Sequence, residues 1–198
     1  MRQYDVASDD PVGPGHTTTG SGRALMSART LDRVLTAYRI GDPAGAYPIF
    51  DATGAKLWPG RWNTAVSPMI YTSEHYSLAM LEKLVHGNGH MPPNQHWIEI
   101  TIPPGVSYEV FSTAHYPGWD AEDCLVAKAY GEAWRRSKRS LLLIVPSVVA
   151  RMERNVVIND GHPEVSRITY GLHQPIWWDK RLFPPSAAAA GTRRRAKP

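Results

Sequence analysis

The chain has 198 residues, of which 42% are hydrophobic and 20% are charged. This length is enough for one domain with a sizeable core and too small for two ordinary ones, and the composition is typical of a globular protein. No apolar run approaches the roughly 18 residues that a transmembrane helix needs, and the N-terminus lacks the pattern of a secretory signal.

The formal net charge of +4 is located in the C-terminal tail. Residues 187–198 contain no acidic residue and four cationic ones, so the rest of the chain has no net charge; the four are Arg193, Arg194, Arg195 and Lys197. We therefore expect no direct nucleic-acid binding by the domain, because a basic tail contacts polyanions only weakly. The single cysteine, Cys124, excludes an internal disulfide and suits a reducing cytoplasm. We interpret it as a small core residue of a helix.

Residues 1–30 are rich in Gly, Ser, Thr and Asp and have almost no apolar periodicity, which predicts a disordered leader. The glycines in this stretch resemble a phosphate loop only superficially, because no strand precedes them and no helix follows. We expect one domain over residues 31–186 and a flexible basic tail over residues 187–198.

The domain begins with a predicted strand over residues 34–40, which carries Arg39 near its end. A loop with two tryptophans around Pro-Gly and Arg61 follows at residues 57–63. Two interpretations of Arg61 remain open. Its guanidinium either stacks between Trp58 and Trp62 for packing or binds a ligand.

The stretch over residues 69–87 predicts a short apolar strand followed by a helix. The predicted apolar face of this helix consists of Leu78, Leu81, Leu84 and Val85. Glu82 falls inside this face, because it follows Leu78 by four residues and precedes Val85 by three. A carboxylate in an apolar surrounding is costly unless it is paired or lines a polar cleft. Glu82 is therefore either salt-bridged to a neighbouring arginine or a catalytic carboxylate facing a pocket, with Tyr71 beside it.

Two histidines, His86 and His90, follow this helix near a turn, but no further ligand lies at a suitable spacing, so we predict no metal site. The alternation of isoleucines over residues 97–102 predicts a strand, and residues 108–111 predict the next one. Asp120 is expected to cap a helix over residues 121–136.

In that helix, Leu125, Ala129 and Ala133 repeat every four residues. The remaining predicted elements are strands over residues 141–145 and 156–158, a short helix over 164–170 and an aromatic strand over 175–183. Because strands and helices do not alternate regularly, the sequence predicts an α+β fold with largely antiparallel or split sheets.

Six short stretches, found in the same order, resemble the RES domain family, which is named for its Arg, Glu and Ser residues. The resemblance covers residues 31–183 and rests on Tyr38-Arg39, residues 60–63, 70–73, 78–82 and 145–147, and Asn155 with Asn159 and His162-Pro163. The chain departs from the family pattern at Pro59, where a second glycine is common, and in the loop at residues 159–163.

The resemblance implies a fold similar to that of ADP-ribosyltransferases, with split or mixed β-sheets and flanking helices. It implies that NAD is a consumed substrate rather than a cofactor. Members are toxins of RES–Xre toxin–antitoxin systems that degrade NAD, and some transfer ADP-ribose to a protein. The implied partner is an Xre-type helix-turn-helix antitoxin whose C-terminal segment covers the active site, in a toxin–antitoxin hetero-oligomer. Carried over by position, the implied catalytic residues are Arg39, Tyr71 and Glu82, and the implied NAD-binding residues are Arg39, Arg61, Tyr71, Ser147 and Asn159.

These residue types suit cleavage of the nicotinamide–ribose bond. The leaving group is already a cationic pyridinium, so the site must bind NAD and stabilise an oxocarbenium-like ribose. Glu82 can supply the negative charge, while Arg39 and Arg61 can bind the pyrophosphate. Tyr71 can stack on the nicotinamide. Ser147 can donate a hydrogen bond to the ribose or to the amide, although a strand-end hydroxyl without that role is the alternative.

Three functions stay open at this point. The first is a toxin that hydrolyses or phosphorolyses NAD. The second is a mono-ADP-ribosyltransferase that modifies a cellular protein. The third is a binding module that keeps the fold without activity.

Overall fold

A computed structural model describes residues 28–88, 90–91 and 93–183 of the chain. The last two residues of the predicted leader, Arg29–Thr30, form a short strand, β1. The rest of the leader, residues 1–27, and the predicted tail at residues 187–198 lie outside the described residues.

Within the described residues, nine strands form one mixed sheet. The other eight strands are β2 (Leu35–Gly41), β3 (Ile70–Ser73), β4 (His96–Ile102), β5 (Ser107–Val110), β6 (Leu142–Pro146), β7 (Arg154–Ile158), β8 (Thr169–Tyr170) and β9 (Gln174–Pro175). Their order is β1-β5-β6-β7-β3-β2-β4-β8, and β9 also pairs with β4. All these pairs are antiparallel except β5–β6, which is parallel. The predicted α+β class with a mixed sheet is confirmed.

Three α-helices occur in the described ranges, namely α1 (Thr53–Leu57), α2 (Tyr76–His86) and α3 (Leu125–Ser137). The helix α2 follows β3 directly and packs against β2 and β3. In those same ranges, every helix is too short or too polar to traverse a lipid bilayer.

Side-chain alternation along β7 gives the sheet two differently packed faces. Val156 and Ile158 point into one core, together with Ile98 and Ile100 of β4. Val157 points into a second core on the opposite face. That second core also contains α3 residues and two large aromatic side chains; its members include Tyr130, Trp134, Trp62 and Trp119. Asn155 alternates in the same way and so shares the α3 face with Val157.

The helix α3 starts later than predicted, and its buried face does not carry the four-residue repeat of the sequence. The helix begins at Leu125, whose backbone N–H donates a hydrogen bond of 3.0 Å to Asp123 Oδ1. Asp120 does not cap the helix and pairs with Arg151 instead. The buried residues are Ala127, Tyr130, Gly131 and Trp134, and Leu125 is exposed. Gly131 explains this rotation, because a Cβ there would lie 2.0 Å from the Trp62 carbonyl oxygen. Gly131 therefore faces the backbone of Trp62, a close contact that the four-residue repeat does not indicate.

Cys124 is not a core residue. It lies half-buried at the N-cap of α3, with a left-handed backbone (φ 57°), and its thiol donates to the carbonyl of Glu122. The residue therefore belongs to the turn before the helix, which explains why the helical pattern extended falsely through it.

The predicted aromatic strand over residues 175–183 is also wrong. Only Gln174–Pro175 pairs with β4, and the described part of the chain closes with a short 3₁₀ helix at Lys180–Leu182. The partner of Pro175 is His96, the first residue of β4, so the ladder ends there. The short helix predicted over residues 164–170 is a 3₁₀ helix at Pro163–Arg167 followed by β8.

Candidate active site

Glu82 projects from α2 towards the sheet. It lies three and four residues after Ala79 and Leu78, which are the buried residues of this helix, so the three share one face. The predicted apolar face is narrower than expected, because Leu81 and Val85 are exposed. The inward position of Glu82 therefore depends on polar contacts with the sheet.

Two neutral groups hold the Glu82 carboxylate. Its Oε1 accepts a hydrogen bond of 2.8 Å from Ser147 Oγ and one of 2.7 Å from Asn155 Nδ2. Among the described residues it forms no salt bridge, and its Oε2 accepts no hydrogen bond. The salt-bridge interpretation of Glu82 thus fails, and one carboxylate oxygen stays available to a ligand.

Ser147 lies at the end of β6 and is fully buried (0% exposed). Its hydroxyl oxygen accepts hydrogen bonds from the backbone N–H groups of Val149 and Ala150, at 3.2 and 3.0 Å. These two contacts occupy the lone pairs of the oxygen and direct its only hydrogen towards Glu82. The structure therefore places Ser147 as a donor to the carboxylate, whereas a direct contact with NAD was predicted.

The Arg39 guanidinium is held by backbone carbonyls. It donates to the carbonyl oxygens of Tyr71 at 2.9 Å and Asp51 at 3.0 Å, and within the described ranges it has no carboxylate in salt-bridge contact. Burial lowers the pKa of Arg39 to about 10, against the opposing effect of the nearby Asp51. The side chain is therefore still a cation at neutral pH, and its charge is not neutralised by a direct ion pair.

Arg39 also joins two strands that pair at only one position. The β2–β3 ladder contains the single residue pair Tyr38–Ser73. The bond from Arg39 to the Tyr71 carbonyl ties β2 to β3 beyond that pair. A cation is consequently placed where the two strands cease to form a ladder.

The hydroxyl of Tyr71 is held by two hydrogen bonds. Its hydroxyl donates to Asn63 Oδ1 at 2.9 Å and accepts from the Trp62 N–H at 3.0 Å. Gly60 permits this approach, because a Cβ there would lie 2.9 Å from the tyrosine Cζ and hydroxyl oxygen. Burial raises the pKa of Tyr71 far above its usual value, so the phenol is neutral. With the hydroxyl occupied, no hydrogen-bonding group of the Tyr71 side chain is left for a ligand.

Arg61 lies in the loop at residues 57–63, the Arg61 loop, and its side chain binds a segment that is distant in sequence. Its Nη1 donates to the carbonyl oxygens of Ala121 at 2.7 Å and Trp119 at 3.2 Å. Trp58 is 79% exposed, and no aromatic ring lies in stacking contact with Arg61 in the part of the chain that the structure describes. The packing interpretation of Arg61 between two tryptophans is therefore not supported.

Asn159 lies away from the other predicted site residues. It follows the end of β7, four residues or about 13 Å along an extended chain from Asn155. Its amide donates to the Arg135 carbonyl at 2.9 Å, and its Oδ1 accepts from the Gly161 N–H at 3.1 Å. These contacts tie the turn after β7 to the end of α3, and the NAD-binding role of Asn159 stays a prediction.

Asn155 was missed as a site residue. Its Oδ1 accepts a hydrogen bond of 2.7 Å from Ser73 Oγ, while its Nδ2 donates to Glu82. The sequence held two signals for it: Asn155 is among the residues that carry the family resemblance, and it precedes Val157 by two residues and so shares its inward face. A polar side chain on the inward face of a strand needs a hydrogen-bond partner.

Hydrogen bonds connect most of the predicted site through β3. Tyr71 contacts Arg39 through its carbonyl and the Arg61 loop through its hydroxyl. Ser73, two residues further along the same strand and on the same face, leads through Asn155 to Glu82. A half-buried carboxylate on α2, with one oxygen that accepts no hydrogen bond from the described residues, is thus connected through β3 to two guanidinium groups that donate to backbone carbonyls. This arrangement can accept a hydrogen bond from a hydroxyl and attract an anionic group.

The described ranges contain no cluster of three or more His, Cys, Asp or Glu side chains able to hold a metal ion. His86 and His90, the histidines near the turn after α2, are both exposed.

Comparison with known proteins gives consistent matches. The pattern of the RES domain matches residues 36–179. The chain is 39% identical over 171 residues to the Prs ADP-ribosylating toxin of Sphingobium sp. (strain YBL2), across 84% of this chain and 98% of that toxin. It is 30% identical over 145 residues to the Toxin Res of Photorhabdus laumondii, across 68% of this chain and 92% of that toxin.

Among solved structures, the chain resembles one in the M. tuberculosis MbcT-MbcA toxin–antitoxin complex. The TM-score is 0.61 with 14% sequence identity, across 74% of this chain and 86% of that chain. At this identity, the likeness shows the fold alone.

Proposed function

The chain belongs to the RES domain family, and from that premise we propose that it is a toxin of a toxin–antitoxin system that cleaves the nicotinamide–ribose bond of NAD. The observation that carries this proposal is the environment of Glu82. Two neutral donors bind one carboxylate oxygen, and the other accepts nothing from the described residues. A carboxylate retained only for stability would be expected in an ion pair with a cation.

Glu82 supplies the charge that the reaction needs. As the bond between ribose and nicotinamide lengthens, positive charge develops on the ribose, and the electron pair of the breaking bond leaves with the nicotinamide. The free oxygen of Glu82 accepts a hydrogen bond from a ribose hydroxyl, and its negative charge stabilises the oxocarbenium-like transition state. A preorganised group of this kind typically contributes about 3 kcal/mol.

The arginines and Tyr71 bind the substrate in this proposal. Arg39 and Arg61 make no carboxylate ion pair within the described residues, so their charge is available to the pyrophosphate of NAD. Tyr71 offers a ring face to the nicotinamide, since both hydrogen-bonding positions of its hydroxyl are used by the Arg61 loop.

A protein acceptor is the second candidate for the ADP-ribose. The relative that is 39% identical over nearly its whole length carries the name Prs ADP-ribosylating toxin. Transfer to a protein side chain uses the same cleavage step as hydrolysis or phosphorolysis, with a different nucleophile. The same carboxylate therefore serves both candidates.

We also propose that the partner is an Xre-type antitoxin whose C-terminal segment covers the active site. The fold likeness to a chain of the MbcT-MbcA toxin–antitoxin complex supports an antitoxin partner. Two cations without a carboxylate partner and a carboxylate oxygen that accepts no hydrogen bond from the described residues are groups that such a segment can satisfy.

Product analysis tests the proposed function. The purified protein is incubated with NAD, with and without phosphate and a cell lysate, and the products are separated by chromatography. Free nicotinamide must appear in at least one arm; ADP-ribose, an ADP-ribose phosphate or a labelled protein in that arm then identifies the acceptor. NAD that remains intact in all arms contradicts the proposal and favours a binding module.

A further inference from the structure

We propose that Asn155 is the positioning residue of the site, which fixes the rotamer of Glu82 so that its Oε2 faces the substrate. This inference rests on the proposed function for its consequences in catalysis. It assigns to Asn155 a role that none of the predicted site residues has.

The orientation of the Asn155 amide is fixed by Glu82. An ionised carboxylate only accepts hydrogen bonds, so the amide nitrogen must face Glu82, which leaves Oδ1 to accept from the Ser73 hydroxyl. Ser73 and Asn155 are paired residues of the β3–β7 ladder, which places both side chains on the same face. The relay therefore begins on two central strands of the sheet and ends on the helix.

The two donors on Glu82 come from different elements. Ser147 approaches from the end of β6 and Asn155 from the start of β7, and both bind the same oxygen, Oε1. A carboxylate with both donors on one oxygen cannot rotate without losing them. Its second oxygen is thereby held in one direction, as transition-state stabilisation by a fixed charge requires.

The chemistry of this position favours a neutral donor. An aspartate in place of Asn155 has the same shape but would bring a second carboxylate next to Glu82, and repulsion between the two charges raises the pKa of one of them. When the pair holds one proton, however, the protonated aspartate can donate to Glu82 as the amide does. Asn155→Asp should therefore be impaired at high pH and recover as the pH falls.

The alternative is that Asn155 merely links β7 to α2. In that case its replacement would lower stability without changing the dependence of activity on pH. The recovery of Asn155→Asp separates the two roles, because a purely structural link gives no reason for activity to return on acidification.

The experiment compares full-length wild type, Asn155→Asp, Asn155→Ala and Asn88→Asp in NAD cleavage between pH 5 and 8. Asn88 is exposed and follows α2, so Asn88→Asp is the matched control for added charge. We expect Asn155→Ala to lose about 100-fold in kcat at every pH, with little change in KM, because the reacting groups are slightly misplaced. Asn155→Asp should lose about as much at pH 8 and regain activity relative to wild type towards pH 5.

An Asn155→Asp variant with the pH profile of the wild type, or an Asn155→Ala variant with unchanged kcat, overturns the inference while wild-type cleavage still supports the proposed function. If the wild type does not cleave NAD, a double-mutant cycle of Asn155→Ala and Glu82→Gln on the free energy of unfolding tests the contact alone. Coupling between the two changes supports the positioning contact, and strict additivity overturns it.

Discussion

The hydroxyl of Ser147 donates a hydrogen bond of 2.8 Å to Oε1 of Glu82. The bond joins the end of β6 to the middle of α2. Since the serine oxygen also accepts from two backbone N–H groups of the following turn, one side chain shapes the loop and orients the carboxylate.

Ser147→Ala should therefore lower both stability and activity. The change removes one donor from Glu82 and leaves the Val149 and Ala150 N–H groups without their acceptor, which costs about 1–3 kcal/mol. We expect kcat for NAD to fall more than KM rises. Steady-state kinetics and urea unfolding measure the two effects, with Ser166→Ala, at an exposed position, as the control. Wild-type kcat in Ser147→Ala would show that Glu82 does not need this donor.

Arg39→Lys should mainly weaken substrate binding. A lysine keeps the charge but cannot bond two carbonyls and a phosphate with a planar fork. We expect kcat/KM for NAD to fall by about 100-fold, with most of the change in KM. Arg33→Lys is the matched control, because Arg33 is exposed and its Nε lies 4.0 Å from an oxygen of the Asp32 carboxylate. Equal kinetics of Arg39→Lys and wild type would remove Arg39 from the binding site.

Gly60→Ala should disturb the site through Tyr71. The added Cβ would lie 2.9 Å from the tyrosine ring, so either the ring or the loop that carries Arg61 must shift. Such overpacking typically costs about 1–3 kcal/mol. Thermal unfolding and NAD kinetics measure the effect. Gly171→Ala is the control, because its Cβ would meet only the Glu99 carbonyl at 4.0 Å. If Gly60→Ala and Gly171→Ala have the same thermal stability and the same NAD kinetics, the close contact at Gly60 does not constrain Tyr71.

Glu164 should contribute stability that is lost in acid. Burial alone raises its pKa, but hydrogen bonds from the side chain and backbone of Ser107 and the charges of His162 and Arg167 outweigh burial, and the net pKa is lowered. A carboxyl with a lowered folded-state pKa stabilises the protein above its unfolded-state pKa and loses that contribution as the pH falls through the folded value. Glu164→Gln should therefore lose less stability than wild type as the pH falls below about 4.5.

Urea unfolding of wild type and Glu164→Gln at several pH values checks this prediction, with Glu132→Gln as a control on α3. The stability difference between wild type and Glu164→Gln should be largest near neutral pH and shrink in acid. A difference that stays constant over this range would contradict it.

Local periodicity predicted much of the fold. Ile98, Ile100 and Ile102 alternate and are all buried in β4. The helical position of Glu82 relative to Leu78 correctly placed the carboxylate against the sheet, because that relation depends only on the helix repeat. The residue types that hold Glu82 could not be predicted in the same way. Ser147 and Asn155, which hold Glu82, lie at the end of β6 and the start of β7, and the approach of these strands to α2 is a tertiary contact.

The failed predictions have a common physical origin. The start of α3 and the extent of β9 depend on what each segment packs against. Gly131 faces the Trp62 backbone, and Pro175 pairs with the first residue of β4, where the ladder ends. Neither relationship is visible in local sequence pattern, and tertiary context overrides propensity at both places.

The most direct measurement is NAD cleavage by Glu82→Gln beside wild type and the exposed-residue control Glu122→Gln. Glutamine keeps the size of the side chain and an oxygen for Ser147 and Asn155, but it removes the charge. The account predicts nicotinamide release by wild type and Glu122→Gln, and a loss of about 100-fold or more in Glu82→Gln with the fold intact by circular dichroism. Nicotinamide release by Glu82→Gln at the wild-type rate would contradict it.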